Sequence, residues 1–152
     1  MTIAEGLIAF LWTFTDENGN SINDILMDIV QGNPNALAVS PSSDHTIKHY
    51  LNKDEVKEAN FQIFLKAYTQ ENYDRVQNTQ LIDKMKEWIN RQSKRNVFPE
   101  IGENRTCRKI EASNAMIYDT NQNGEGLYLL QVKITYYEKW IKEKEDEKWD
   151  YD

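Results

Sequence analysis

The sequence predicts an α+β domain. It has a mostly antiparallel sheet of about four strands, two main helices packed on one side, the order α-β-β-α-β-β, and an acidic C-terminal tail. Three observations lead there. Two segments repeat apolar residues at the three-to-four spacing of a helix, three others alternate with period two, and the strands and helices are too interleaved for an all-α or all-β layer. The 152 residues suit one domain with a modest core. Residues 1–138 form that domain, and residues 139–152 form a charged extension.

The first helix spans residues 2–14. Ile3, Leu7, Ile8, Leu11 and Phe14 share one face, and "TIAE" reads as a capping box with Thr2 as N-cap. That start has an apolar run but no basic n-region and no small-residue cleavage site, so no targeting peptide is expected, and the mature chain is expected to begin here inside a cell. Gly19 and its Asn/Asp neighbours make a turn. "INDILMDIV", 22–30, fits a short helix or a strand equally, and "GNP" ends it. "ALAVSP", 36–41, reads as a short strand stopped by Pro41. "NFQIFLKAY", 60–68, alternates: Phe61, Ile63, Leu65 and Ala67 face one way, and a half-polar set faces the other.

The second helix is the clearest element. Leu81, Ile82, Met85, Trp88 and Ile89 follow helical spacing, with Thr79 or Asn78 as cap. It ends in Arg91, Lys94 and Arg95, which complement the negative pole of the helix dipole, and Asn96 can supply a left-handed C-terminal residue. "RKIEASNAMIYD", 108–119, and "LYLLQVKITYYE", 127–138, are strands joined by the hairpin loop "TNQNGEG". Ile110, Ala112, Asn114, Met116 and Tyr118 share one face of the first, and Leu130, Val132, Ile134 and Tyr136 turn inward from the second. "KWIKEKEDEKWDYD" has no apolar face long enough to bury, so a frayed helix or a disordered tail is expected. Trp140 and Trp149 suggest that it docks, on a neighbour or on the chain's own surface.

Charge is distributed unevenly. Residues 1–60 carry 3 basic and 9 acidic side chains, residues 61–110 carry 10 and 6, and residues 111–152 carry 5 and 10, within a net charge of −7. An acidic chain is repelled by phosphates at long range, which argues against a general nucleic-acid binder. A basic centre between acidic ends suits protein–protein complementarity. Candidate contact residues are therefore Arg91, Lys94, Arg95, Arg105, Trp140 and Trp149; the alternative for each cation is a solvated helix face.

Motifs for chemistry are weak. "DTNQNGEGLYLL" places Asp119, Asn121, Asn123 and Gly124 as a calcium loop does, but Leu130 stands where a bidentate Glu is required. His45 and His49 lie four apart without a third ligand. Cys107 is the single cysteine, so it forms no internal disulfide; Arg105, Arg108 and Lys109 would lower its pKa if they lay close, but no base is nominated. There is no G-x-S-x-G, Walker loop or G-x-G-x-x-G. No catalytic residue, metal or cofactor is assigned, and a non-enzymatic role is expected.

The "LIAFLWTF" helix, "IKHYLNKD" before "FQIFLKAY", the helix "LIDKMKEWINRQ", the "VFPEI" turn, and the strands "RKIEASNAMIYD" and "LYLLQVKITYYE" together resemble the small minor capsid or tail-terminator proteins of siphophages that infect Gram-positive bacteria. The resemblance covers residues 2–138 and rests on element order and on "EWINRQ", "FPEI" and "ITYYE"; the extension after Glu138 goes beyond the family's pattern. It implies a structural virion protein, assembled in the host cytoplasm, that caps the head-proximal end of the tail tube as a ring of six copies. Its partners would be itself, the tail tube protein and the head connector protein, with DNA passing through the lumen without specific binding and no membrane involved. Alternatives are a head-completion or connector protein of the same joint, a monomeric interaction module recognising through the Trp140–Trp149 tail, and an enzyme built on Cys107 or the histidines.

Overall fold

The computed structural model describes residues 2–14, 24–27, 36–68, 72–120 and 125–141. Its elements are α1 (Ile3–Leu11), β1 (Asp24–Met27), β2 (Ala36–His49), β3 (Glu55–Tyr68), α2 (Asn72–Lys94), β4 (Arg105–Thr120) and β5 (Glu125–Glu138). The fold is α+β with the expected order of helices and long strands. Strands β2, β3, β5 and β4 form the antiparallel sheet, and β1, from the segment that fitted helix or strand equally, adds a short parallel edge beside β2.

Strand alternation assigns the two faces. Along β3 and β5, Ala59 pairs with Ile134, Phe61 with Val132, Ile63 with Leu130 and Leu65 with Tyr128, and all eight side chains are buried in one core. Leu37 and Val39 of β2 and Ile110 and Ala112 of β4 join them, and both helices close this face. Helix α1 contributes Leu7, Phe10, Leu11 and Phe14, and α2 contributes Ile82, Met85 and Ile89. Trp88 bridges the helices, its ring 5.0 Å from Phe10 and 5.5 Å from Phe14 in an edge contact.

The ends of α1 and α2 follow local chemistry. The Thr2 hydroxyl accepts from the Glu5 N–H at 3.1 Å, as the N-cap reading requires. At the other end of α2, Asn96 has φ 60°, the Val97 N–H reaches the Gln92 carbonyl at 2.9 Å, and the Asn96 N–H reaches that of Ser93. This pair of bonds closes the helix in a Schellman turn.

Several boundaries differ from expectation, and α1 ends at Leu11 rather than at residue 14. Strand β2 runs through Pro41 to His49, because its register shifts between Pro41 and Ser43 and the bulge absorbs the proline. Strand β3 begins at Glu55, where charged residues extend the ladder before the apolar alternation starts. Helix α2 begins at Asn72, so neither Asn78 nor Thr79 caps it; its first turns lack the apolar repeat that marks the rest. In β4, register shifts at Cys107/Lys109 and Ser113/Met116 break the simple alternation, and the first turns Cys107 inward together with Ile110. The tip of the β4–β5 hairpin, 121–124, lies outside the described residues.

The turn after α2 is clamped by α1. A Cβ on Gly6 would stand 2.1 Å from the Glu100 carbonyl oxygen and 3.1 Å from Ile101 Cγ2, while Ile101 itself is buried. Alanine would gain up to ~1 kcal/mol in helix propensity, but forcing backbone apart costs about 1–3 kcal/mol or more. Gly6→Ala is therefore expected to lower Tm by several degrees, roughly 2–4 °C per kcal/mol at this size, in thermal melts followed by circular dichroism.

Candidate interaction surface

The basic stretch at the end of α2 divides into two sets of residues. Asn90 and Ser93 face the free edge of β4. The Asn90 amide donates to the Ala112 carbonyl at 3.2 Å and accepts from the Ala112 N–H at 2.9 Å, and Ser93 Oγ accepts from the Ile110 N–H at 3.2 Å. Two helix side chains thus take the place of a neighbouring strand and satisfy an edge that would otherwise invite pairing. Arg91, Lys94 and Arg95 point to solvent, and among the described residues they make no ion pair.

Arg105, Lys57, Lys109 and Lys133, by contrast, are held in ion pairs. Arg105 Nε lies 2.9 Å from Glu138 Oε2, and Arg105 Nη1 donates to the Ile101 carbonyl. Lys57 Nζ meets the other Glu138 oxygen at 3.2 Å and Glu55 at 3.7 Å. Burial alone would raise the Glu138 carboxyl, but the Arg105 and Lys57 bonds outweigh it and hold the group below its ordinary value. Thr46 donates to Glu55 at 3.0 Å, and the Tyr136 hydroxyl, whose ionisation burial and Asp44 both oppose, donates to Asp44 at 3.2 Å. Arg105 is thus a structural bridge between the 98–101 turn and the sheet. Lys109 pairs with Glu111 at 2.7 Å and Lys133 approaches Glu58 at 4.0 Å; both pairs are half exposed and contribute little to stability.

The tip of the β2–β3 hairpin is held by Asp54, the one buried polar residue among those described. Its carboxylate accepts from the Tyr137 hydroxyl, from Asn52 Nδ2 at 3.0 Å and from the Trp140 N–H at 2.9 Å. The Tyr137 bond, then that of Trp140, lowers the Asp54 pKa, and the same Tyr137 bond raises the phenol. Lys53, with φ 73°, lies over the Trp140 ring at 4.4 Å, and Arg108 lies over Tyr137 at 4.7 Å. Trp140 therefore returns onto its own chain; Trp149 lies outside the described residues.

The candidates for chemistry separate. His45 and His49 lie on β2 against Glu58 at 3.0 Å and Glu55 at 3.6 Å, and their side chains are largely exposed. Among the described residues no three His, Cys, Asp or Glu side chains gather around a common point. Leu130, at the twelfth place of the calcium-like loop, is in the core. The cations beside Cys107 in sequence do not activate it, because the bulge turns its thiol into the core and burial pushes it up to about 11.

Among the described residues, two surface grooves stand out. The larger, about 980 Å³, crosses the outer sheet face among Asn60, Gln62, Lys109, Lys133 and Lys94. The smaller, about 560 Å³, lies between the N-terminus of α1 and the β2 bulge, against Ile3, Ala4, Pro41, Ala59 and Phe61. Sequence reading missed Asp54, Asn90 and Ser93. The turn string "YLNKDE" was the only signal for Asp54, and polar residues beside an apolar stripe the only one for the other two. No protein-family model matches the sequence, and no curated protein matches it.

Asp54 is depressed in the fold, so its stabilisation is present above its unfolded value and lost as pH falls through the folded one. Asp54→Asn should flatten the acid limb of a stability–pH curve below about pH 4, measured by urea unfolding. For Cys107, a rise from 9.0 to about 11 leaves some hundredfold less thiolate at pH 8 than in an unfolded chain. Alkylation should be slower than in urea by at least about that factor.

Proposed function

We propose that this chain is a structural, non-catalytic virion protein, a tail terminator that caps the head-proximal end of a phage tail tube as a ring and joins it to the head. The family resemblance suggests the role. The observation that carries the reading is the division of cations: Arg105 and Lys57 are consumed inside the fold, whereas Arg91, Lys94 and Arg95 stand exposed at one corner with no partner among the described residues. Three unpaired cations on an acidic chain of net charge −7 favour a contact with carboxylates on a neighbouring subunit or tube protein. A ring needs two different, complementary flanks on each subunit. Net negative charge also suits a lumen through which DNA slides without sticking.

Changing Arg91, Lys94 and Arg95 together to Glu should abolish binding to purified tail tubes while leaving the thermal melt within a few degrees of the parent. Unchanged tube binding by the triple variant would remove the α2 contact, and binding of the parent chain to portal complexes instead of tubes would assign it to head completion.

A further inference from the structure

The β2–β3 hairpin presents a turn that is pinned in place. Besides the three bonds to the Asp54 carboxylate, the Asp54 carbonyl accepts from the Tyr50 N–H at 3.0 Å, and the Tyr50 carbonyl accepts from the Lys53 N–H at 3.0 Å. At the apex of this turn Leu51 is fully exposed, and Ile47, at the second β2 bulge, is half exposed. A single exposed leucine on a mobile loop needs no explanation. On a turn already ordered, the same side chain is a preorganised contact, because the ordering cost is met before any partner arrives.

The 560 Å³ groove has the complementary character. Its floor is apolar, with Ile3, Ala4, Pro41, Ala59 and Phe61. Asp44 and Arg105 stand on its rim with Thr2, Ser42, Ser43 and Asn60; Arg105 is already neutralised by Glu138, so Asp44 leaves the rim negative. The hairpin tip brings Lys48 and Lys53 on either side of Leu51. The tip cannot reach its own groove, since both belong to the same pair of strands and about seven residues, roughly 20 Å at ~3.3 Å each, separate Asp44 on β2 from Leu51 in the turn.

We propose that the hairpin tip of one copy seats Leu51 in this groove on a second copy. Knob and hole lie at different places on the chain, so the contact is heterologous and repeats head to tail, as closing a ring requires. This deepens the ring reading above, on which it rests, by naming the surfaces that join.

The test uses two variants of the whole chain, with molar mass measured by light scattering after size exclusion. Leu51→Asp removes the knob and leaves the groove; Ser42→Trp, at an exposed groove residue, blocks the groove and leaves the knob. The parent should self-associate and each variant alone should run as a monomer, weakened at least tenfold. An equimolar mixture should form a two-chain species, because only one intact knob-and-hole pair remains. The melt of Leu51→Asp should match the parent. A parent that stays monomeric at the highest soluble concentration, a Leu51→Asp chain that associates like the parent, or a mixture that stays monomeric would overturn the proposal. Tube binding separates it from the ring reading. Parent chains that bind tubes while Leu51→Asp still self-associates sink this contact alone. Variants that fail to self-associate, from a parent that ignores tubes, keep the contact and sink the tail role.

Discussion

The unbroken register between β3 and β5, from Glu55 opposite Glu138 to Tyr68 opposite Glu125, is the constraint on which the rest of the molecule depends. A slip of one residue would exchange Phe61, Ile63 and Leu65 for Gln62 and Phe64 in the core. The register also sets a mismatch of length. Strands of 14 residues extend ~46 Å, whereas α1, with 9 residues, covers only ~14 Å and α2, with 23, ~35 Å. The face beneath the helices is therefore apolar only part of the way. Beyond Ala59 it continues through Lys57 and Glu55, with Asp44 and Thr46 beside them on β2 and Tyr136 and Glu138 on β5, as a hydrogen-bonded polar strip. That strip gives the projecting hairpin order without a core.

The two edges of the sheet are treated differently. The β4 edge is closed by α2 through Asn90 and Ser93, which fixes the helix against the strand along a line that apolar packing alone would leave free to slide. At the other edge, β1 pairs only as far as Met27 with Val39. From there β2 carries Pro41, two bulges, Asp44, His45 and Lys48, all features that discourage strand addition. Association through this part of the chain is thus steered from backbone pairing toward side-chain contacts.

Much of this was legible in sequence. Period-two alternation found the inward faces of β3 and β5, helical spacing found much of the buried stripes of α1 and α2 but passed over Ala4 and Phe10, and Thr2 and Asn96 marked helix ends through chemistry that needs only near neighbours. What failed has a common cause. Pro41, Cys107 and the long extension of β2 depend on bulges, which leave no signature in a one-dimensional pattern, and Asp44 to His49 look like loop because the face they line is polar. The cation cluster was visible as a cluster. That Arg105 would be consumed by Glu138 while Arg91, Lys94 and Arg95 would not required knowing that residues 33 apart pair across β4 and β5.

The two proposed contacts divide the work of association by their physics. Exposed ion pairs supply about 0–1 kcal/mol each and weaken with salt, so Arg91, Lys94 and Arg95 alone cannot hold a ring; they favour the approach of an acidic surface and fix its orientation. A leucine moved from water into an apolar groove supplies about 1.5–3 kcal/mol, nearly independent of salt. Repeated around a closed ring, such increments act together, because each subunit is held by two neighbours and leaves only when both contacts break. A weak pair contact is then compatible with a stable ring.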